Sequence, residues 1–366
     1  MLTVIFYSLI VFLSTFFIFI SDRAKYKSDK LFLIFLSFIT IFIPSAIRYD
    51  IGTDYGSYIE IYNNLEEHEY IEKGFYYLNK ILLSINADSQ LVIIISSFIY
   101  FYICYISYPK KNRWLIHFVF VLIFWFPSFN IIRQTIAIAF SFMAIYKFFD
   151  KKYLQFITII FLGSLFHQSI LLIGIAGVAS LIPLSDFIKN RIFPKIFILI
   201  ILVMFYYFDL ITNFANIFLN IFGLERYLKY FDSSVFFVKN SNGLGIVIFT
   251  NILFCIYVLL QTKNILKINK NYWFLIILIF ICALALILSK QIIIFDRISI
   301  LFRVSIPISI LILLEINNKK IFNKFVVLFF VFILLIFFIK NSFGIKTDYA
   351  DPKINPYKTI LLKGDF

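Results

Sequence analysis

Apolar runs long enough to cross a membrane follow one another along this chain, and they limit what it can fold into. A membrane-spanning helix takes about 20 mostly apolar residues. The composition agrees, because 62% of the residues are hydrophobic and only 15% are charged. Soluble domains have about 45–50% apolar and about 25% charged residues. Twelve candidate spans lie at 2–20, 31–46, 91–108, 114–126, 131–149, 153–166, 168–184, 196–208, 244–260, 272–288, 298–314 and 321–339.

These runs predict an all-α, polytopic membrane protein. A helix satisfies its backbone polar groups within one segment, and the runs are too long and too uniform for the strands of a barrel. Cys104, Cys255 and Cys282 fall inside apolar runs and have no metal-ligand spacing, which predicts three buried thiols.

The loops between the spans are alternately basic, and this pattern predicts their orientation. Under the positive-inside rule the basic loops face the cytoplasm. The net charge of +14 then lies almost entirely on that side, so it reports topology and does not indicate nucleic-acid binding. Both termini are predicted to be external. The basic loops lie at 23–30, 110–113, 147–152, 189–195, 263–270 and 319–324.

This orientation predicts a single integral membrane domain, 1–366, whose working surface faces outward. The long loops at about 47–90 and 209–243 and the tail at about 341–366 would all be external. They mix acids, bases and aromatic residues, whereas the cytoplasmic loops are short and basic. Loops of mixed chemistry are where binding and catalysis usually lie.

The stretch after the second span is the richest in candidate functional residues. It contains one arginine and two aspartates around a glycine turn, and then restarts as an amphipathic helix with Asp54 at its N-cap. A second apolar stripe follows at Ile71–Ile85, and both helices could lie against lipid headgroups. The alternative is that Arg48 snorkels to headgroups while the aspartates only cap the helix. The candidate residues are Arg48, Asp50, Asp54, Tyr55 and Tyr58.

Two further candidates lie in the first half of the chain. Arg133 and Gln134 begin the fifth span on a face that continues with small residues, which turns Arg133 toward the helix bundle. A charge at membrane depth is costly and indicates function, although a structural ion pair is the alternative. His167 lies between two short apolar runs with Gln168 and Ser169 beside it, and a core histidine is the alternative there.

The second half of the chain supplies two more groups of charged residues. In the loop 209–243, Arg226 and Tyr230 share a face, which would also suit a solvated amphipathic helix. At the start of the eleventh span, Asp296 and Arg303 share a face with Ser299, and Arg297 lies beside them.

Together these residues predict an outward-facing site for an anionic, membrane-bound substrate. Arginine binds phosphate bidentately and does not deprotonate, so a lipid diphosphate fits the arginines. The chain has no phosphate-cradling glycine loop, no HExxH and no GxSxG motif. The sequence therefore predicts neither a cofactor nor a metal site.

Three of these motifs resemble the EpsG-like group of Wzy-type polysaccharide polymerases. They are Arg48–Tyr58, Ile132–Ala137 and Phe166–Ser169, whose order and spacing fit that group over the first half of the chain. The second half is similar only in hydropathy. The resemblance implies a GT-C-like helical bundle in a bacterial inner membrane, acting in O-antigen, capsule or exopolysaccharide synthesis.

The resemblance also implies the reaction and its partners. Such enzymes join repeat units linked to undecaprenyl diphosphate at the outer side of the membrane. The implied partners are the lipid-linked glycan donor and acceptor, membrane lipids and a chain-length regulator. This chemistry requires cationic stabilisation of the diphosphate leaving group and a base for the acceptor hydroxyl. Asp54 and His167 are both candidates for the base.

Two other functions stay open at this stage. A glycan-lipid flippase would need charge along its path through the membrane, often within repeated halves, and the middles of these spans are almost free of charge. An O-antigen ligase or another lipid-linked glycosyltransferase would share the arginines and the outer face.

The predicted topology can be tested by site-directed labelling. Reporters placed after residues 28, 111 and 190 should lie in the cytoplasm, and reporters after 65, 235 and 350 should lie outside, because the basic loops stay inside. Labelling of position 65 from the cytoplasm would overturn the orientation and the outer site with it.

Overall fold

The computed structural model describes residues 1–206, 245–289, 293–316, 320–344 and 353–362. In these ranges the regular structure is helical, apart from an isolated antiparallel bridge between Arg48 and Thr359. The chain divides into two compact units, Met1–Leu171 with Val331–Phe366, and Leu172–Phe330. The three predicted buried thiols are confirmed.

The first unit contains long apolar helices and the two amphipathic helices of the loop 47–90. Short 3-10 turns at Leu65–His68, Gln168–Ile170 and Ile360–Leu362 supplement them. The helices are α1 (Leu2–Ser21), α2 (Lys27–Ala46), α3 (Tyr55–Asn63), α4 (Lys73–Ser84), α5 (Gln90–Ser107), α6 (Arg113–Phe124), α7 (Pro127–Asn130), α8 (Ile132–Phe149) and α9 (Tyr153–Ser164).

The second unit is also helical in its described residues. A π-helical turn at Ile188–Ile192 and a 3-10 turn at Lys270–Tyr272 join some of its helices. They are α10 (Leu171–Ser180), α11 (Phe193–Tyr206), α12 (Ile246–Leu260), α13 (Thr262–Ile268), α14 (Trp273–Leu288), α15 (Ile293–Phe302), α16 (Ser305–Glu315) and α17 (Lys320–Ser342), the last of which continues into the first unit.

The chain is a multi-pass membrane protein. Within the described residues, seven helices are long and apolar enough to cross a membrane, and α12 with α13 adds an eighth if that pair, bent by 61°, is one span. Shorter apolar helices occur at Arg113–Phe124, Tyr153–Ser164 and Gln168–Ser180. The count of twelve, the GT-C-like bundle and the single membrane domain stay predictions. The predicted loop 209–243 lies outside the described residues.

The two helices predicted in the loop 47–90 are present as α3 and α4. Their apolar stripes pack against each other and against the start of α5 and do not point outward, because Tyr58 and Phe75 are buried with Val92 and Ile93. Ile85, which the sequence places on the second stripe, is exposed. Asp54 occupies the predicted N-cap position of α3 but makes no capping hydrogen bond with its side chain.

Gly52, whose backbone has a positive φ, allows the start of the loop 47–90 to pack against α7. Gly52 has a φ of 96°, and a Cβ at this position would lie 2.4 Å from the Phe129 carbonyl oxygen. The next residue, Thr53, donates from its backbone N–H to Asn130 Oδ1 over 2.6 Å. Only glycine combines this φ with so close an approach of two backbones. The loop therefore leaves α2 in one fixed direction.

Gly52→Ala should destabilise the protein, whereas Gly56→Ala should not. The first substitution adds a clash and about 1–3 kcal/mol of backbone strain. The second lies in α3 with no atom within 4 Å of the added Cβ, and alanine favours a helix over glycine by about 1 kcal/mol. The difference in stability is the difference between the thermal midpoints of the two purified variants. Size-exclusion chromatography of heated samples measures each midpoint as the temperature at which half of the protein is lost from the folded peak. Equal midpoints for both variants would contradict the docking.

Candidate functional site

Arg48, the first predicted binding residue, is sealed inside the first unit. It follows α2 and is 1% exposed. Its Nη1 donates to the Ser45 carbonyl oxygen and, over 3.3 Å, to Ser97 Oγ. The guanidinium carbon lies 4.8 Å from the centre of the Phe129 ring. The structure thus surrounds this charge with α2, α5 and α7 and does not bring it to a surface.

The Arg48 guanidinium keeps its charge but not all of its hydrogen bonds. Burial lowers its pKa to about 10, and four nearby tyrosines, Tyr55, Tyr7, Tyr357 and Tyr58, oppose that shift. The group is therefore protonated at neutral pH. Its Nε and Nη2 have no hydrogen-bond partner within the described part of the chain. An unsatisfied buried donor costs about 1–3 kcal/mol.

The C-terminal segment 353–362 closes over this arginine. Tyr49 N donates to the Lys358 carbonyl oxygen over 3.0 Å, and Ile360 N donates to the Ile47 carbonyl oxygen over 3.0 Å. Lys353 forms an ion pair with Asp50, the second predicted binding residue. The sequence predicts the tail only as an external segment, because no local pattern indicates a partner some 300 residues away.

Gln90 holds the loop 47–90 to the start of α5. Its Nε2 donates to the carbonyl oxygens of Ala46 and Arg48 over 2.8 and 3.1 Å. Its Oε1 accepts from the Tyr55 hydroxyl over 2.6 Å. Burial raises the pKa of Tyr55 to about 12, so the phenol stays a donor at neutral pH. Gln90 is a site residue that sequence reasoning missed.

Arg133 is paired with a carboxylate that was also missed, Glu72. Nη1 of Arg133 lies 2.5 Å from Glu72 Oε2, and the two side chains are 25% and 14% exposed. Arg133 Nε has no hydrogen-bond partner among the described residues. The predicted neighbour Gln134 is buried. Glu72 precedes α4 as one acid among several, so only its tertiary contact with Arg133 of α8 distinguishes it.

Tyr58 links this ion pair to Asp54. Burial raises the pKa of Tyr58, which is hydrogen-bonded to Arg133, and the Asp54 carboxylate acts in the same direction as burial. Tyr58 also interacts electrostatically with Arg48. Helix α3 therefore brings the predicted Asp54 and Tyr58 to the predicted Arg133.

The loop that carries His167 reaches the same ion pair. Gln168 N donates to Glu72 Oε1 over 3.4 Å, and Gly74 N donates to the Leu165 carbonyl oxygen over 2.7 Å. His167 Nδ1 accepts from Ser169 N over 3.2 Å. Because a backbone N–H can only donate, the other ring nitrogen carries the proton of the neutral ring.

The second unit holds its own arginine cluster. Arg303 Nη2 lies 3.1 Å from Ser299 Oγ and 3.5 Å from Asp296 Oδ1, so these three residues share a face as predicted. Arg303 Nε has no hydrogen-bond partner among the described residues. Arg297 is exposed on the same helix. Arg226 and Tyr230 lie outside the described residues, and no group in the described ranges has three side chains that could hold a metal ion.

The first unit thus gathers Asp54, Tyr58, Arg133, Glu72 and the His167 loop into one cluster, which we call the cation cluster. It combines a part-exposed guanidinium with the carboxylates of Glu72 and Asp54, and the backbone of the His167 loop reaches Glu72, an arrangement that suits an anion and a proton transfer. Arg48, which is buried, and Asp50, which is part-exposed, lie at the junction with the C-terminal segment.

Comparison with known protein families gives one match. The model of the EpsG family matches residues 31–359, which is nearly the whole chain. Comparisons with curated proteins and with solved structures each returned no match.

The ion pair predicts unequal effects of two nearby substitutions. Glu72→Ala leaves Arg133 without its carboxylate and should lower the free energy of unfolding by about 1.5–3 kcal/mol, the usual worth of a hydrogen bond to a charged group. Glu67→Ala, at an exposed position of the same loop, should change it little. Thermal midpoints in detergent measure both variants, and equal midpoints would contradict a structural pair.

Proposed function

The chain belongs to the EpsG family, a family of Wzy-like polymerases, and on that premise we propose that it polymerises lipid-linked oligosaccharides. Its substrates are repeat units carried on undecaprenyl diphosphate, and it joins them at the outer face of a bacterial inner membrane. The observation that carries this proposal is the cation cluster, where a part-exposed arginine lies beside two carboxylates and a histidine loop.

The proposed reaction transfers a glycan from one lipid carrier to another. A hydroxyl oxygen of the acceptor sugar forms a bond to the anomeric carbon of the donor glycan. The bond between that carbon and the diphosphate oxygen breaks, and undecaprenyl diphosphate leaves with the electron pair. The hydroxyl proton passes to a base. The enzyme therefore needs a cation for the leaving group and a base for the acceptor.

Arg133 is the proposed cation. Its side chain is 25% exposed and its Nη1 is held by Glu72, while its buried Nε has no hydrogen-bond partner in the described chain. A diphosphate carries more negative charge than one carboxylate and offers several acceptor oxygens, so it can replace Glu72 at the guanidinium. Glu72 keeps the arginine oriented while the site is empty.

Asp54 is the proposed base, and His167 the proposed donor to the diphosphate. The Ser169 N–H already occupies Nδ1 of His167, so the neutral ring presents an N–H at its other nitrogen. An N–H cannot take the proton from the hydroxyl of the acceptor sugar, but it can donate a hydrogen bond to the oxygen of the leaving diphosphate. The Asp54 carboxylate lies near Tyr58, which is hydrogen-bonded to Arg133, and it can accept a proton there.

The remaining predicted residues have supporting roles in this proposal. Arg48 is a positioning residue, because it is buried and fixes the turn that leads to Asp54. In the second unit, Arg303 is a further candidate for binding diphosphate oxygens, with Asp296 and Ser299 orienting it. A chain-length regulator is a proposed partner, as are the surrounding lipids.

Purified protein in nanodiscs, supplied with a synthetic lipid-linked repeat unit, should produce a ladder of glycan lengths. Arg133→Lys keeps the charge but loses the bidentate fork, and should slow the ladder by at least about 10²-fold. Asp54→Asn should slow it by about 10²–10⁴-fold, the usual loss for a general base. Gel analysis of the labelled glycans measures both rates.

Two matched variants control for general damage. Arg191→Lys and Asp150→Asn change exposed residues outside the cation cluster and should polymerise at the normal rate. Normal ladders from Arg133→Lys and Asp54→Asn would refute the assigned roles. A product with a single transferred glycan, in place of a ladder from the unaltered protein, would indicate ligase-type transfer and refute polymerisation.

A further inference from the structure

The first unit contains a cavity that the proposed roles of the cation cluster leave unused. It has a volume of about 540 Å³, which lies within the range of about 300–1,000 Å³ of small-molecule sites. It lies between the start of α3, the start of α5 and the C-terminal segment. The lining residues that matter for its chemistry are Tyr49, Asp50, Tyr55, Gly56, Asp88 and Ile360.

The lining combines aromatic rings with carboxylates. The rings of Tyr49 and Tyr55 meet edge to face with their centres 6.0 Å apart. Asp88 Oδ1 accepts from Gln90 N over 2.7 Å, and a carboxylate has about four acceptor positions, so Asp88 can accept further bonds. A pyranose presents C–H groups to aromatic faces and hydroxyl donors to carboxylates, and both kinds of partner are present here.

The charges at this cavity are mainly negative. Lys353 forms an ion pair with Asp50 and offsets that charge, which leaves Asp88 as an acid exposed at the lining. A ligand with its own carboxylate would be repelled there, and a neutral or amino-bearing ligand would not. Like charges placed opposite each other are a common source of specificity.

The cavity lies within one helical turn of the proposed base. Tyr55, Gly56 and Ile59 of α3 line the cavity, and Asp54 and Tyr58 of the same segment lie at the cation cluster. One turn of an α-helix rises about 5.4 Å. A sugar in the cavity can therefore place a hydroxyl close to Asp54.

We propose that this cavity binds the acceptor sugar of the incoming glycan and selects neutral or amino sugars over uronic acids. This inference rests on the proposed function and deepens it, because it assigns the acceptor to a defined place and a chemical class. The C-terminal segment forms one wall of the cavity through Ile360. The backbone N–H of Ile360 donates to the Ile47 carbonyl oxygen, which holds this wall in place.

Saturation-transfer NMR on the full-length protein in nanodiscs tests the inference with three soluble disaccharides. Cellobiose is the neutral probe, the disaccharide of glucosamine is the amino probe and digalacturonic acid is the acidic probe. Cellobiose and the amino disaccharide should bind. Digalacturonic acid should bind about five- to tenfold more weakly, as expected for repulsion by the partly screened charge of Asp88.

Two variants localise the binding. Gly56→Leu should abolish the saturation transfer from all three disaccharides, because Gly56 lines the cavity and a Cβ at this position meets no atom within 4 Å, so the larger side chain can take up space that the sugar needs. Asp88→Asn keeps the oxygen that accepts from Gln90 N but removes the charge, so it should remove the discrimination against digalacturonic acid. Asp150→Asn, at an exposed position elsewhere, should leave all three signals and their ratio unchanged.

The outcomes separate this inference from the proposed function. If the unaltered protein makes a ladder but binds no disaccharide, or if Gly56→Leu binds as well as the unaltered protein, the cavity assignment is wrong and polymerisation stands. If the disaccharides bind as expected but no ladder forms, the sugar site stands and the proposed reaction is wrong. Preferred binding of digalacturonic acid would overturn the charge argument.

Discussion

The burial of the Arg48 guanidinium is the constraint on which the rest of the first unit depends. A buried charge is costly unless hydrogen bonds and nearby dipoles replace its hydration. Here Ser45 and Ser97 accept hydrogen bonds, and the Phe129 ring supplies a cation–π contact. Three helices and the C-terminal segment must therefore converge on one residue. That convergence fixes the direction in which the loop 47–90 leaves α2.

The same convergence gives Arg48 and Arg133, two of the four arginines of the first unit, different surroundings. Arg48 is sealed and keeps two donors without partners in the described chain, whereas Arg133 is part exposed and holds a carboxylate that an anion can displace. A charge that must bind and release a substrate has to exchange partners at low cost. Under the proposed function Arg133 meets that requirement, because Glu72 would pair with it between substrates.

Helix α3 connects the two regions that the proposed reaction needs. Tyr58, on one face of α3, lies at the cation cluster, as does Asp54 just before the helix. Tyr55 and Gly56, on the neighbouring face, line the sugar-sized cavity. The surroundings of these faces differ in charge, since one contains Arg133 and the other contains Asp88. In the proposed reaction the diphosphate of the carrier replaces Glu72 at Arg133, and the sugar meets the aromatic and acidic lining of the cavity.

The sequence by itself determined the helical, multi-pass class and the family. Long apolar runs leave no other way to satisfy backbone polar groups in lipid, and three short motifs in order identify the polymerase group. It also predicted α3 and α4, because their 3.6-residue apolar period is a local property. These conclusions needed only composition, period and spacing.

Only the tertiary structure decided which charges meet. Glu72 pairs with Arg133 across 61 residues, Lys353 pairs with Asp50 across 303 residues, and no local pattern encodes either distance. The structure also separated Arg48 from Arg133, which the sequence had grouped as equal diphosphate ligands. Burial decides whether an arginine positions or binds, and burial depends on what packs against it from elsewhere in the chain.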